Sequence, residues 1–199
     1  MAQSAKNPLA QLPPEVRTFL WRAVALFIGW KLLYILVLIP HELPDAWLVK
    51  QLGNGTAWTM NRIYGTDEFF AEHTRREKIY GTDTVWATYS MVSNSKRKVL
   101  GIFQACNGLE LMVLYAGFIL CFTGPWLRKL LFIVGGIFGL YALNVLRSAL
   151  LGYVGLEYPR HFDFAHKYLF NLVVYALTFI LWVWYVAGLR KSHAHNPAA

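Results

Sequence analysis

Cysteine is scarce in this chain: only Cys106 and Cys121 occur among 199 residues. Two thiols do not make a disulfide framework. On one straight helix they would lie about 22 Å apart at 1.5 Å per residue, whereas a disulfide needs Cα atoms within about 7 Å. A Cys-x-x-Cys pair is missing, which excludes the dithiol centre of a quinone–disulfide oxidoreductase. Paired Cys/His ligand spacing is missing too, so no metal and no cofactor is expected. Charge is also sparse, at 15% of residues against roughly 25% in soluble domains. Acidic residues are the scarcest, 11 against 19 Lys and Arg, for a net charge of +8. No basic groove with interleaved aromatics accompanies that excess, so nucleic acid is not an expected partner. Finally, the first apolar run is too long for a signal-peptide core and has no small-residue cleavage site, so it is expected to remain as a helix.

What the chain has instead is apolar and aromatic bulk. Hydrophobic residues make up 56% of it, with 8 Trp, 11 Tyr and 13 Phe, and the mean hydropathy is +0.37. Aromatics in excess belong at membrane–water interfaces. The expected fold is an α-helical polytopic membrane protein, a single membrane domain over residues 1–199. Four runs, 19–39, 107–124, 130–151 and 167–187, have roughly the 17–25 residues a helix needs to cross the hydrocarbon core. They leave a tail at 1–18, an insert at 40–105 and a second tail at 188–199.

Arg17, Arg22, Arg128, Lys129, Arg190 and Lys191 flank these runs. Both tails and the 125–129 turn therefore carry the positive charge that marks a cytoplasmic side, and the insert is expected outside. The insert holds eight Lys and Arg of its own, Lys50 to Lys98, but long segments translocate largely regardless of charge. Within it, 45–64 mixes Trp47, Leu48, Leu52, Trp58, Met60 and Ile63 with polar residues. It reads as an amphipathic helix lying at the membrane interface, with a break possible at Gly53-Asn54-Gly55. Residues 85–92 and 99–103 are β-prone and are separated by Ser93-Asn94-Ser95-Lys96, as in a hairpin.

That hairpin decides what Cys106 is. If 99–103 is a strand, the second membrane helix starts near Cys106, and the thiol lies where free backbone N–H groups and the helix dipole favour its ionised form. If the helix starts at Val99, the thiol lies about 10 Å deeper. A lone cysteine in a membrane helix is ordinarily an inert packing residue, which is the reading for Cys121. Cys106 differs in its neighbours: Gly108 permits close backbone approach, and Asn107 can cap the helix or donate a hydrogen bond.

Arg147 lies near the end of the third run and His166 at the start of the fourth. In helices of alternating direction, both fall on the membrane side of Cys106. An arginine inside a membrane is costly; it either snorkels to the headgroups or offers a charged donor fork to a carboxylate or oxyanion. His161 rivals His166. Glu110 shares a helix face with Cys106 and is placed to pair with Arg147 or, less favourably, with Lys31. Asn144 and Asn171 read as residues that bond helices together.

Ala105-Cys106-Asn107-Gly108-Leu109-Glu110, then Asn144-Val145-Leu146-Arg147, then His166 ahead of an aromatic-rich helix resemble the exosortase/archaeosortase family. The resemblance covers roughly residues 99–185. It implies a cysteine transpeptidase or protease of the bacterial cytoplasmic (inner) membrane, with its site on the extracytoplasmic face. The implied partners are exported proteins that end in a short motif, a transmembrane helix and a basic tail, together with a lipid or glycan acceptor and the surrounding membrane lipids. It makes Cys106 the nucleophile, Arg147 the oxyanion-side cation and His166 the acid/base partner; Asn107, Glu110, Asn144 and His161 remain supporting candidates from the reading of the residues themselves. The other reading is a non-catalytic membrane assembly subunit of an export or surface-polysaccharide system, in which Arg147 and Glu110 only pair helices.

Overall fold

A computed structural model describes residues 13–41, 43–80, 83–122 and 124–195. Helix α1 spans Pro14–Leu33 and opens on proline, whose fixed φ suits a first turn. It widens into a π-turn at Tyr34–Leu38 and ends in a short helical turn, Ile39–His41. Most apolar side chains of α1 are exposed, as suits a surface that meets lipid, while Phe19, Ala23, Leu26 and Trp30 are half-buried.

Helix α2, Asp45–Tyr64, buries Asp45, Leu48, Val49, Leu52, Gly53, Thr56, Ala57 and Met60. That spacing of three and four is one face of a helix. No break occurs at Gly53. A Cβ there would lie 2.6 Å from the Ser90 Cβ, so this glycine lets the helix press against the sheet. Gly65, in the left-handed conformation, ends the helix.

The sheet has order β1-β2-β3: β1 is Phe70–Tyr80, β2 Asp83–Ser93 and β3 Lys98–Ile102. Strands β2 and β3 are the expected hairpin, with Met91 opposite Gly101. Strand β1, paired with β2 from Phe70↔Ser93 to Tyr80↔Asp83, was not foreseen. Its sequence, FAEHTRREKIY, is too polar to show an apolar alternation.

Among the described residues, three helices are long and apolar enough to span a membrane: Val16–Leu38, Trp126–Glu157 and Pro159–Gly188. The expected second span, 107–124, is shorter than a full crossing. Its helix, α3, covers Leu109–Cys121, 13 residues, or about 20 Å at 1.5 Å per residue. The bend at Asn107-Gly108 starts it late, and extended backbone at Phe122 stops it early. Helix α4, Trp126–Glu157, outruns the expected 130–151 at both ends. The last span begins at Pro159 rather than near Lys167: a 3-10 turn at Pro159–His161, a helical turn at Phe162–Phe164 and a π-turn at Ala165–Leu169 lead into α5, Phe170–His195.

Two cores result. Leu52, Met60, Val92, Ile102 and Ala149 fill the space between α2, the sheet and the C-terminal half of α4. Met112, Tyr115, Ile119, Leu140 and Tyr185 fill the space between α3, α4 and α5. The nucleophile candidate lies on the chain where it passes from the first core to the second.

Candidate active site

Strand β3 ends at Ile102, and a 3-10 turn, Gln104–Cys106, follows at once. The alternative start of the helix at Val99 is therefore excluded. Cys106 occupies the turn before α3, three residues ahead of its first residue. The Cys106 N–H donates to the Phe103 carbonyl (2.9 Å) and the Asn107 N–H to that of Gln104 (3.2 Å).

Gly108 then turns the chain into α3 with φ of 76°, a conformation that costs other residues about 1–2 kcal/mol. A Cβ at Gly108 would also lie 2.9 Å from Nδ2 of Asn144. That approach is used: the Asn144 amide donates to the Cys106 carbonyl at 3.0 Å. Asn107 is fully engaged as well. Its Oδ1 accepts the Leu109 N–H at 2.9 Å, and its Nδ2 donates to Oδ1 of Asp45.

These residues wall a cavity of about 640 Å³, within the usual range for ligand sites. Cys106, Arg147 and His166 all line it, the first from the turn before α3, the second from α4 and the third from the π-turn ahead of α5. Asn107, Glu110, Asn144 and Asn171 line it too. His161 does not; it is exposed on the 3-10 turn at Pro159–His161.

Arg147 lies deeper in its helix than the sequence suggests, because α4 continues to Glu157. It is about 15 Å from that end at 1.5 Å per residue. Its Nε is buried and has no hydrogen-bond partner among the described residues, which does not fit snorkelling to the headgroups. His166 stacks on Phe162, ring centroids 5.9 Å apart. The π-turn that carries it is a local irregularity of the kind common at functional sites, and Tyr34, also on the cavity wall, opens the other π-turn.

Glu110 pairs with Lys31 of α1 at 2.5 Å, the less favoured of its two expected partners. Lys31 lies alongside on the neighbouring α1, which packs against α3. Asn171 donates to the Lys167 carbonyl of its own helix rather than across helices.

Asp45 and Tyr34 were missed by sequence reasoning. Asp45 is only 2% exposed, and its Oδ2 accepts the Tyr34 hydroxyl at 2.9 Å. One signal was available: Asp45 falls on the same helical stripe as Leu48 and Leu52, a carboxylate on an apolar face. No spacing in the sequence links it to Asn107.

A family model described as transmembrane exosortase (Exosortase_EpsH) matches residues 16–184. The chain belongs to the transmembrane exosortase family. The match takes in the long apolar helices, the insert and every residue named on the cavity wall, well beyond the 99–185 that carried the resemblance. No curated protein and no solved structure matches. Family and helices together make this a polytopic helical membrane protein.

Proposed function

We propose that this exosortase-family chain is a membrane-embedded cysteine transpeptidase or peptidase. Its partners in this reading are exported proteins with a C-terminal motif, a transmembrane helix and a basic tail. The observation that carries the reading is the cavity itself: a thiol, a guanidinium and an imidazole from three separate segments line it together.

The Cys106 thiolate attacks the peptide carbonyl just outside the partner's helix, and an S–C bond forms. Arg147 stabilises the tetrahedral oxyanion, a role that suits a buried Nε with no partner among the described residues. The C–N bond breaks as His166 protonates the leaving amine, and a thioester remains. An amine or hydroxyl of a lipid or glycan then attacks the thioester and gives its proton to His166. The C–S bond breaks and the thiolate returns. Water in place of that acceptor gives simple proteolysis. The basic ends of α1 and α4 support a cytoplasmic location for that side; in this reading the cavity opens on the extracytoplasmic face of the inner membrane.

The test is processing of such a partner co-expressed with the chain. The parent traps the partner's upstream fragment as a thioester on Cys106. Cys106→Ala leaves the partner full length at normal expression. Normal processing by Cys106→Ala would sink the reading and favour the assembly-subunit alternative.

A further inference from the structure

We propose that Asp45 is a positioning residue for Cys106, acting through Asn107; this rests on the catalytic reading above. The argument begins with cost. A carboxylate removed from water is expensive unless its oxygens are hydrogen-bonded. Asp45 is 2% exposed, yet an asparagine or serine could start α2 at lower desolvation cost. Both of its oxygens accept from donors on other segments, Oδ2 from the Tyr34 hydroxyl and Oδ1 from the Asn107 amide.

The second step is direction. The asparagine amide has a donor end and an acceptor end. A carboxylate accepts only, so Asp45 admits only the Nδ2 end of Asn107. Oδ1 is thereby turned to the Leu109 N–H, the first residue of α3, which it meets at 2.9 Å. A chain of bonds then runs from Tyr34 in the π-turn that ends α1, through Asp45 on α2 and Asn107, to the start of α3. Asn144 on α4 holds the Cys106 carbonyl from the other side. The thiol-bearing residue is fixed on both flanks by three helices remote in sequence. Such fixing bears on turnover, because misplacement of a reacting group by about 1 Å can cost on the order of a hundredfold in rate.

A purely structural role for Asp45, as a charge at the N-terminus of α2, makes a different prediction about exchanging the two side chains. In Asn107→Asp, two carboxylates face one another and the bond is lost. Adding Asp45→Asn restores every link: Tyr34 donates to Asn Oδ1, Asn Nδ2 donates to the new carboxylate, and that carboxylate accepts the Leu109 N–H. A charge needed only at α2 is not restored by this exchange.

The experiment has two readouts on the full chain in detergent or nanodiscs. The first is amide hydrogen exchange over 106–111, which needs no substrate. Asp45→Ala is expected to speed exchange at Leu109 roughly tenfold or more, with protection elsewhere in α3 retained. The second is processing of the partner. Asn107→Asp is expected to lower kcat roughly tenfold or more with KM little changed, and the double variant Asp45→Asn/Asn107→Asp to return kcat to within about threefold of the parent. Unchanged exchange in Asp45→Ala overturns the proposal, as does a double variant no better than Asn107→Asp. If Asp45→Ala does not fold, the double-variant comparison decides. If the parent processes nothing, the catalytic reading fails, and the exchange readout alone decides whether Asp45 positions the turn.

Discussion

The Asn144 amide reaches from the middle of α4 to the carbonyl of Cys106, 3.0 Å away. It passes over Gly108, where a side chain would block it. A residue read from the sequence as a bond between helices thus holds the backbone of the candidate nucleophile.

Asn144→Leu keeps the bulk and removes the donor. The half-buried Cys106 carbonyl loses its donor, at a cost of about 0.5–1.5 kcal/mol, the net worth of an ordinary hydrogen bond. A lower thermal midpoint in detergent and altered alkylation of Cys106 by iodoacetamide are expected. A variant alkylated at the parental rate would show that the bond does not shape the turn.

Gly108→Ala meets two obstacles at once, φ of 76° and a methyl 2.9 Å from Asn144 Nδ2. The backbone alone accounts for about 1–2 kcal/mol. The variant is expected to be less stable and to lose processing even though every polar group of the cavity remains. Gly65→Ala tests the backbone term separately: it shares the left-handed conformation, but a methyl there meets nothing within 4 Å.

Gly53→Val forces α2 away from β2, since even a Cβ would lie 2.6 Å from Ser90. Overpacking of this kind costs about 1–3 kcal/mol. The expected signature is local: faster proteolysis of the 66–100 region, with the α3–α4–α5 core retained. Proteolysis at the parental rate would contradict the close packing.

The insert is expected to loosen in acid through His73. Ser90 Oγ donates to the Val49 carbonyl (3.0 Å) and so accepts from Nδ1 of His73 (2.8 Å). Burial first, and the charge of Lys50 second, lower the His73 pKa below 6.5. Between the lowered value and 6.5 the unfolded chain binds more protons than the folded one, so stability rises with pH there. It is fully present above 6.5 and is lost as pH falls through the folded value. Hydrogen exchange in β1 and β2, corrected for intrinsic rates, is expected to accelerate between pH 7 and pH 5. His73→Gln should flatten that response, and an equal acceleration in this variant would assign it elsewhere.

Legibility in the sequence followed the range of the physics involved. Apolar runs long enough to span a bilayer are written in one dimension, so the polytopic class and three of the four expected spans could be read directly. The β2–β3 hairpin was legible because strand pairs with a short turn are local. Strand β1 was not, since its pairing with β2, not its own pattern, makes it a strand. Helix ends were misplaced where packing overrode local signals: α4 continues to Glu157, and the last span begins at Pro159.

Alone, the sequence singled out Cys106, Arg147 and His166 and led to the expectation that they stand toward one side of a membrane protein, because chain direction alternates from span to span; Arg147 in fact lies ten residues before the end of α4, and His166 lies within the last span. Tertiary structure decided that these three line one cavity, that His161 does not, and that Glu110 pairs with Lys31 rather than Arg147. It alone brought Asp45 to Asn107 and Tyr34 to Asp45. Hydrogen bonds among residues tens of positions apart leave no periodicity in a sequence. They exist only once α1, α2 and α4 have packed around the turn that carries the thiol.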